Sequence, residues 1–156
     1  MFYKVDKAQT GELLRVRRKA GYYHFGIATS PKTVVHFTGA NGDLAPDEGG
    51  IMIRETSLKK FIDGDELESK NTSKSPFNPK EIVKRARSFL GQTTFRGKPY
   101  NLVTNNCEHF ARYIFEGSAE SLQTEVTVDN VKKTAKIAGR TINKKFKDFV
   151  NKMKNK

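Results

Sequence analysis

The chain is poor in the groups that usually announce a function. It has one cysteine, Cys107, and three histidines, His24, His36 and His109, in 156 residues. A single thiol excludes an internal disulfide and any site built on several thiolates, and leaves either a reactive group or an inert core filler. No apolar run approaches the roughly 18 residues needed to span a bilayer, and the opening Met1-Phe2-Tyr3-Lys4-Val5-Asp6-Lys7 is charged too early for a signal peptide. The expectation is a cytoplasmic protein with at most a peripheral hold on a membrane. No internal repeat is present, and the length suits one domain with a short appendage.

Acids are scarce in one place above all. Residues 131–156 hold ten of the 29 basic residues but only one of the 17 acids, Asp148, so nine of the twelve net positive charges lie there. The remainder is close to neutral. Net charge favours an anionic partner such as acidic lipid or nucleic acid without saying anything about fold. In the same stretch Val131, Ala135, Ala138, Ile142, Phe146, Phe149, Val150 and Met153 recur at steps of three and four, with lysines over the rest of the surface, which predicts a basic amphipathic helix. The expected division is therefore a domain over 1–125 and a basic C-terminal helix within 126–156.

Within the domain, Glu12 to Arg18 alternates as a half-buried strand does, and Gly21 marks a turn. Tyr23 to Thr29 and Thr33 to Thr38 are two further strands joined by Ser30-Pro31-Lys32, so an antiparallel meander is predicted. Ile51-Met52-Ile53 adds a short strand, Thr56-Ser57-Leu58 opens a short helix through Phe61, and polar Glu68 to Ser75 reads as a mobile loop. Asn78-Pro79-Lys80-Glu81 supplies an N-cap, a first-position proline and an acid for a helix carrying Ile82, Val83, Ala86, Phe89 and Leu90, with Gly91 as its C-terminal cap. Asn106 caps a second helix whose first residue is Cys107, whose buried stripe includes Phe110, Ala111, Ile114 and Phe115, and which Gly117 ends.

Cysteine at the first turn of a helix meets unpaired amide groups that stabilise a thiolate, so a depressed thiol pKa is expected. A nucleophile of this kind also needs a base and a group to orient the base. His24 and His36 lie on adjacent strands joined by a short turn and can face each other across the ladder. His109 lies about 200° round the helix from Cys107 at 3.6 residues per turn and reads as structural. A lone cysteine is most often core filler and a strand histidine most often a satisfied polar residue, but both readings at once are harder to sustain. Cys107, His24 and His36 would serve zinc by ligand type but lack paired-ligand spacing, so neither metal nor cofactor is expected.

At these residues the chain resembles the lecithin:retinol acyltransferase-like proteins. Asn106-Cys107-Glu108-His109-Phe110 is similar to their NCEHF signature, and Tyr22-Tyr23-His24-Phe25-Gly26-Ile27 with Val34-Val35-His36-Phe37 is similar to their H-box. Gly11-Glu12-Leu13-Leu14, Thr56-Ser57-Leu58, Tyr100-Asn101-Leu102 and Ser121-Leu122-Gln123 resemble secondary landmarks, so the likeness covers about residues 10–125. It implies an α+β, circularly permuted papain-like fold of the NlpC kind, an antiparallel sheet packed against helices. It further implies Cys107 as nucleophile, His24 as general base, His36 as the group that orients His24, and Tyr22 as an oxyanion stabiliser. The implied chemistry is attack on a phospholipid acyl ester to give an acyl-cysteine thioester. Water as acceptor would make a phospholipase A, and an alcohol or amine would make an acyltransferase.

Many animal members carry a hydrophobic C-terminal anchor where this chain has its lysine-rich helix, so acidic membrane is the partner expected of that helix, with packing on its own domain as the plain alternative. Picornaviral H-box/NC proteins share the signature, which implies a second reading: a non-enzymatic module binding membrane, host protein or RNA. Only Phe146 and Phe149 are available in the tail for base stacking, which counts against RNA. A third reading keeps the chemistry but takes an amide substrate, as NlpC-type peptidases do.

Overall fold

The computed structural model describes residues 1–43, 50–101 and 106–117. Its centre is a six-stranded antiparallel sheet. The strands are β1 (Tyr3–Lys4), β2 (Leu13–Arg17), β3 (Tyr23–Ser30), β4 (Thr33–Thr38), β5 (Met52–Ser57) and β6 (Leu67–Lys70), in the order β1-β6-β2-β3-β4-β5. The predicted meander is β2 through β4, and the separate short strand expected at 51–53 overlaps the start of β5. Helices α1 (Leu58–Ile62), α2 (Pro79–Arg87) and α3 (Cys107–Glu116) pack on it, and a two-stranded ribbon of β7 (Thr94–Phe95) and β8 (Lys98–Pro99) lies between α2 and α3 in sequence.

Strand alternation sorts the core into two clusters. Leu13, Phe25, Ile27, Val35, Phe37 and Ile53 face α2 and α3, where they meet Ile82, Ala86, Cys107, Phe110, Ala111, Ile114 and Phe115. Leu14, Val16, Ala28 and Val34 face the other way, against Phe61 of α1 and Leu67 of β6. Each large apolar side chain buried this way contributes roughly 1.5–3 kcal/mol.

Both principal helices begin where the caps predict. The Asn78 side chain accepts from the Glu81 N–H with Pro79 at the first position of α2, and Asn106 does the same for α3, accepting from the Glu108 and His109 N–H groups. Two expectations need correction. Helix α2 stops at Arg87, well before Gly91: Phe89 N–H and Leu90 N–H bond back only three residues, and Gly91 N–H instead donates to Ile53 O, which ties this corner to β5. The stretch read as a mobile loop contains β6, paired on one side with β2 and on the other with β1, followed by a single turn of 3-10 helix at Thr72–Lys74. Its Glu68 is held by Arg15 at 2.8 Å with both side chains mostly buried, so polarity here reflects a charge-paired strand rather than absence of structure. The C-terminal helix expected within 126–156 lies outside the described residues.

Candidate active site

His24 is the second residue of β3 and His36 the fourth of β4, and both side chains lie on the α1 face, edge-on and tilted against the Phe61 ring at 5.1–5.4 Å. The two imidazoles meet directly, His24 Nε2 to His36 Nδ1 at 2.8 Å. Gly26, on the same face two residues after His24, leaves room for His36 and Phe61: a Cβ there would lie 2.6 Å from Val34 Cγ1, 2.9 Å from Phe61 Cε2 and 3.2 Å from His36 Cβ. A glycine inside a strand has this meaning when another group must come close.

The hydrogen-bond network assigns the protons. Thr56 Oγ1 donates to Ser57 O, so it accepts from His36 Nε2–H, at 2.8 Å. His36 Nδ1 is then an acceptor and takes the His24 Nε2–H. His24 is left with a bare Nδ1, which is buried and has no hydrogen-bond partner among the described residues. Burial, helped by the positive charge of Arg18, pushes the His24 pKa down to about 3, and burial first and His24 second hold His36 well below its ordinary value. At neutral pH both rings are uncharged.

Cys107 arrives from the opposite side of the sheet, at the first turn of α3. In β3, Ala28 N–H donates to Glu12 O on the β2 side, so by alternation the backbone groups of Tyr23 and Phe25 point toward β4. The register of β3 with β4 starts only at Ile27↔Val35, which leaves that edge open at Tyr23 and Phe25. The sulfur occupies the opening: Sγ is 4.0 Å from Tyr23 O and receives the Phe25 N–H. It thus touches the backbone on each side of His24, although no hydrogen bond joins it to His24 Nδ1.

The expected acidity of the thiol is not found. Burial pushes Cys107 up to about 12, against the pull of the Phe25 N–H and the Tyr100 hydroxyl, while the charges of Asp43 and Glu108 push the same way as burial. Desolvation of a thiolate outweighs the amide groups of the helix start. At rest the thiol and the imidazoles are all neutral.

The hydroxyl of Tyr22, the residue expected at the oxyanion, donates to Asp43 Oδ2 at 2.8 Å. The donors aimed at the sulfur are the Phe25 N–H and Tyr100, whose ring packs edge-on against Phe37 at 5.0 Å. His109 keeps the structural part expected of it. Its Nδ1 accepts from the Asn106 N–H at 3.2 Å and completes a reciprocal capping box at the start of α3.

Sequence reasoning missed Tyr100, Asp43 and Arg18. Tyr100 stood only as a landmark in Tyr100-Asn101-Leu102, while Asp43 lies in a Gly/Asp/Pro-rich loop without local pattern. Arg18 stood only as the last residue of a strand. The Arg18 guanidinium in fact uses all five N–H donors inward, on both Asp43 oxygens (2.7 and 3.1 Å), on Asp65 (3.1 Å) and on the carbonyls of Phe61 and Ile62 (2.7 and 2.9 Å).

No helix among the described residues is long and apolar enough to cross a membrane. A sequence model of the lecithin retinol acyltransferase family matches residues 6–120. Human phospholipase A and acyltransferase 2 is 28% identical, over 80% of this chain and 81% of that protein. Mouse lecithin retinol acyltransferase is 41% identical over 83% of this chain, which spans 64% of the mouse protein; the human lecithin retinol acyltransferase is 27% identical with similar coverage. The mixed α/β architecture with its antiparallel sheet agrees with this match, and the residues that carry the histidine pair and the capped cysteine helix lie within it. The chain therefore belongs to the lecithin retinol acyltransferase family of enzymes.

Proposed function

We propose that the chain transfers or hydrolyses a phospholipid acyl group through an acyl-cysteine thioester on Cys107, with a permuted papain-like arrangement of nucleophile and base. The observation that carries this reading is the bare, buried Nδ1 of His24, fixed by the His36 hydrogen bond and flanked by the two backbone groups that touch the sulfur. An imidazole held in one tautomer with its lone pair inward is a general base waiting for a proton.

Because both partners rest uncharged, the thiol proton moves as the sulfur attacks. The Sγ–H bond breaks and an Nδ1–H bond forms while sulfur bonds to the ester carbonyl carbon; the same proton then passes to the departing lysophospholipid oxygen. Water or an acceptor alcohol or amine repeats the sequence in reverse on the thioester. His36, held by Thr56, keeps the His24 ring turned so that Nδ1 is the atom presented. Tyr100 and the Phe25 N–H are the donors available to the sulfur as charge develops on it. The basic segment 126–156 is assigned the task of holding the domain on an acidic membrane surface, its cations each contributing on the order of 1 kcal/mol near anionic lipid.

Incubation with short-chain phosphatidylcholine, followed by intact-mass spectrometry, tests the reading. A mass increase of one acyl chain on Cys107, with release of lysolipid and neither in Cys107→Ala, is the expected result. Absence of both adduct and lysolipid in the unaltered protein sinks it. A high resting thiol pKa is also what a non-enzymatic binding module would have, and that outcome would favour it.

A further inference from the structure

His24 must carry a positive charge while Cys107 attacks, in a place where burial and Arg18 both oppose it. His36, uncharged, offers only a lone pair. A buried imidazolium needs a countercharge. Asp43 is placed to supply one: its Oδ1 lies 3.6 Å from His24 Nε2, too far for a strong hydrogen bond and close enough for a strong Coulombic one. The carboxylate is not free to wander. Arg18 grips both its oxygens, at 2.7 and 3.1 Å, and the Tyr22 hydroxyl donates to Oδ2 at 2.8 Å.

The charge count of this cluster is informative. Arg18 brings one positive charge, Asp43 and Asp65 two negative ones, and Tyr22 none. The cluster rests at minus one, and a proton on His24 brings it to zero. Were Asp43 present only to neutralise Arg18, Asp65 would already suffice.

We propose that Asp43 is a positioning residue for catalysis, clamped by Arg18 and Tyr22 so that its carboxylate stabilises the His24 imidazolium formed when Nδ1 takes the Cys107 proton. This rests on the thiol-imidazole reading above, and it gives Tyr22 a part different from oxyanion binding. The other charged or titratable groups facing the pair are His36, Lys60, Tyr100 and Cys107 itself. No other described carboxylate comes within ion-pair distance of His24.

The test measures Cys107 alkylation by iodoacetamide as a function of pH, a reaction that needs the base but no lipid, alongside turnover of short-chain phosphatidylcholine. Asp43→Asn should slow alkylation between pH 6 and 8 by about tenfold or more and lower kcat by a similar factor with KM within about twofold. Asp43→Glu should recover part of both, and in a His24→Ala background Asp43→Asn should make no further difference. Alkylation in folded Asp43→Asn that matches the unaltered protein overturns the proposal. So does equal loss in Asp43→Asn and Asp43→Glu together with a lowered thermal midpoint, which marks Asp43 as structural. Alkylation that depends on Asp43 and His24 without any lipid turnover supports the proposal while removing the phospholipid reading.

Discussion

The two faces of the central sheet are built to different rules. Toward α2 and α3 the contacts are almost wholly apolar, a set of phenylalanines meeting edge to face, Phe95 on Phe110 at 5.6 Å and Phe89 on Phe110 at 5.8 Å, with Cys107 at the margin. Toward α1 the apolar cluster is smaller, and two histidines, Arg18 and Asp43 crowd the same side. One face fixes where the helix that carries Cys107 sits; the other fixes the hydrogen bonding and burial of the histidine pair. Consecutive strand residues point to opposite faces, so these halves meet only at an edge, and the parting of β3 from β4 before Ile27 provides it.

The division of labour can be broken from either side. The largest effect is expected from His24→Ala: turnover should fall by about 10²–10⁴-fold with the thermal midpoint little lowered, read by lysolipid release and calorimetry. A large loss of stability with it would mean that the histidine face holds the fold as well. Phe61→Ala removes the ring on which both histidines rest and should cost about 3–5 kcal/mol in urea unfolding. Gly26→Ala is the sharper probe. Its methyl group collides with Val34, Phe61 and the His36 Cβ, so overpacking should cost about 1–3 kcal/mol, and activity should fall further than stability alone explains because His36 and the Phe61 ring that supports both imidazoles are displaced.

Proton linkage gives the most general effect, because it needs no substitution. His24, His36 and His109 are held neutral in the fold, with pKa values of about 3 for His24 and about 4 for His109, whereas in the unfolded chain each titrates near 6.5. Below that pH the unfolded state binds more protons, so stability falls with acid, by up to about 1.4 kcal/mol per pH unit per histidine, until the folded rings themselves protonate. Urea unfolding between pH 7 and 4 should show this decline, shallower in His24→Gln. A flat profile would mean that the rings are not dry.

Much of this arrangement was legible in the sequence because it is local. The meander β2 to β4 follows from alternation, and α2 and α3 follow from their asparagine caps and apolar spacing. The pairing of His24 with His36 follows from a short turn. What escaped was set by contacts distant in the chain. Strand β6 hid because only Leu67 and Ser69 face inward and one of them is polar. The early end of α2 depends on Gly91 finding Ile53. The acidity of Cys107 was misjudged because a helix start is local and desolvation is not: the thiol is sealed by strands that no window around residue 107 contains. Asp43 and Arg18 carry no motif, and their meaning comes only from being folded onto one another.

The contact of Cys107 with Tyr23 spans 84 residues. Closing so long a loop comes at a modest entropic cost in the finished protein, but in a folding chain it waits on the sheet and on α2 before it gains anything. The two histidines, twelve positions apart on adjacent strands, are joined by a far shorter loop. On the acyl-cysteine reading proposed above, reactivity toward esters would then belong to the completed domain alone, because the thiol reaches the backbone beside His24 only across that long loop.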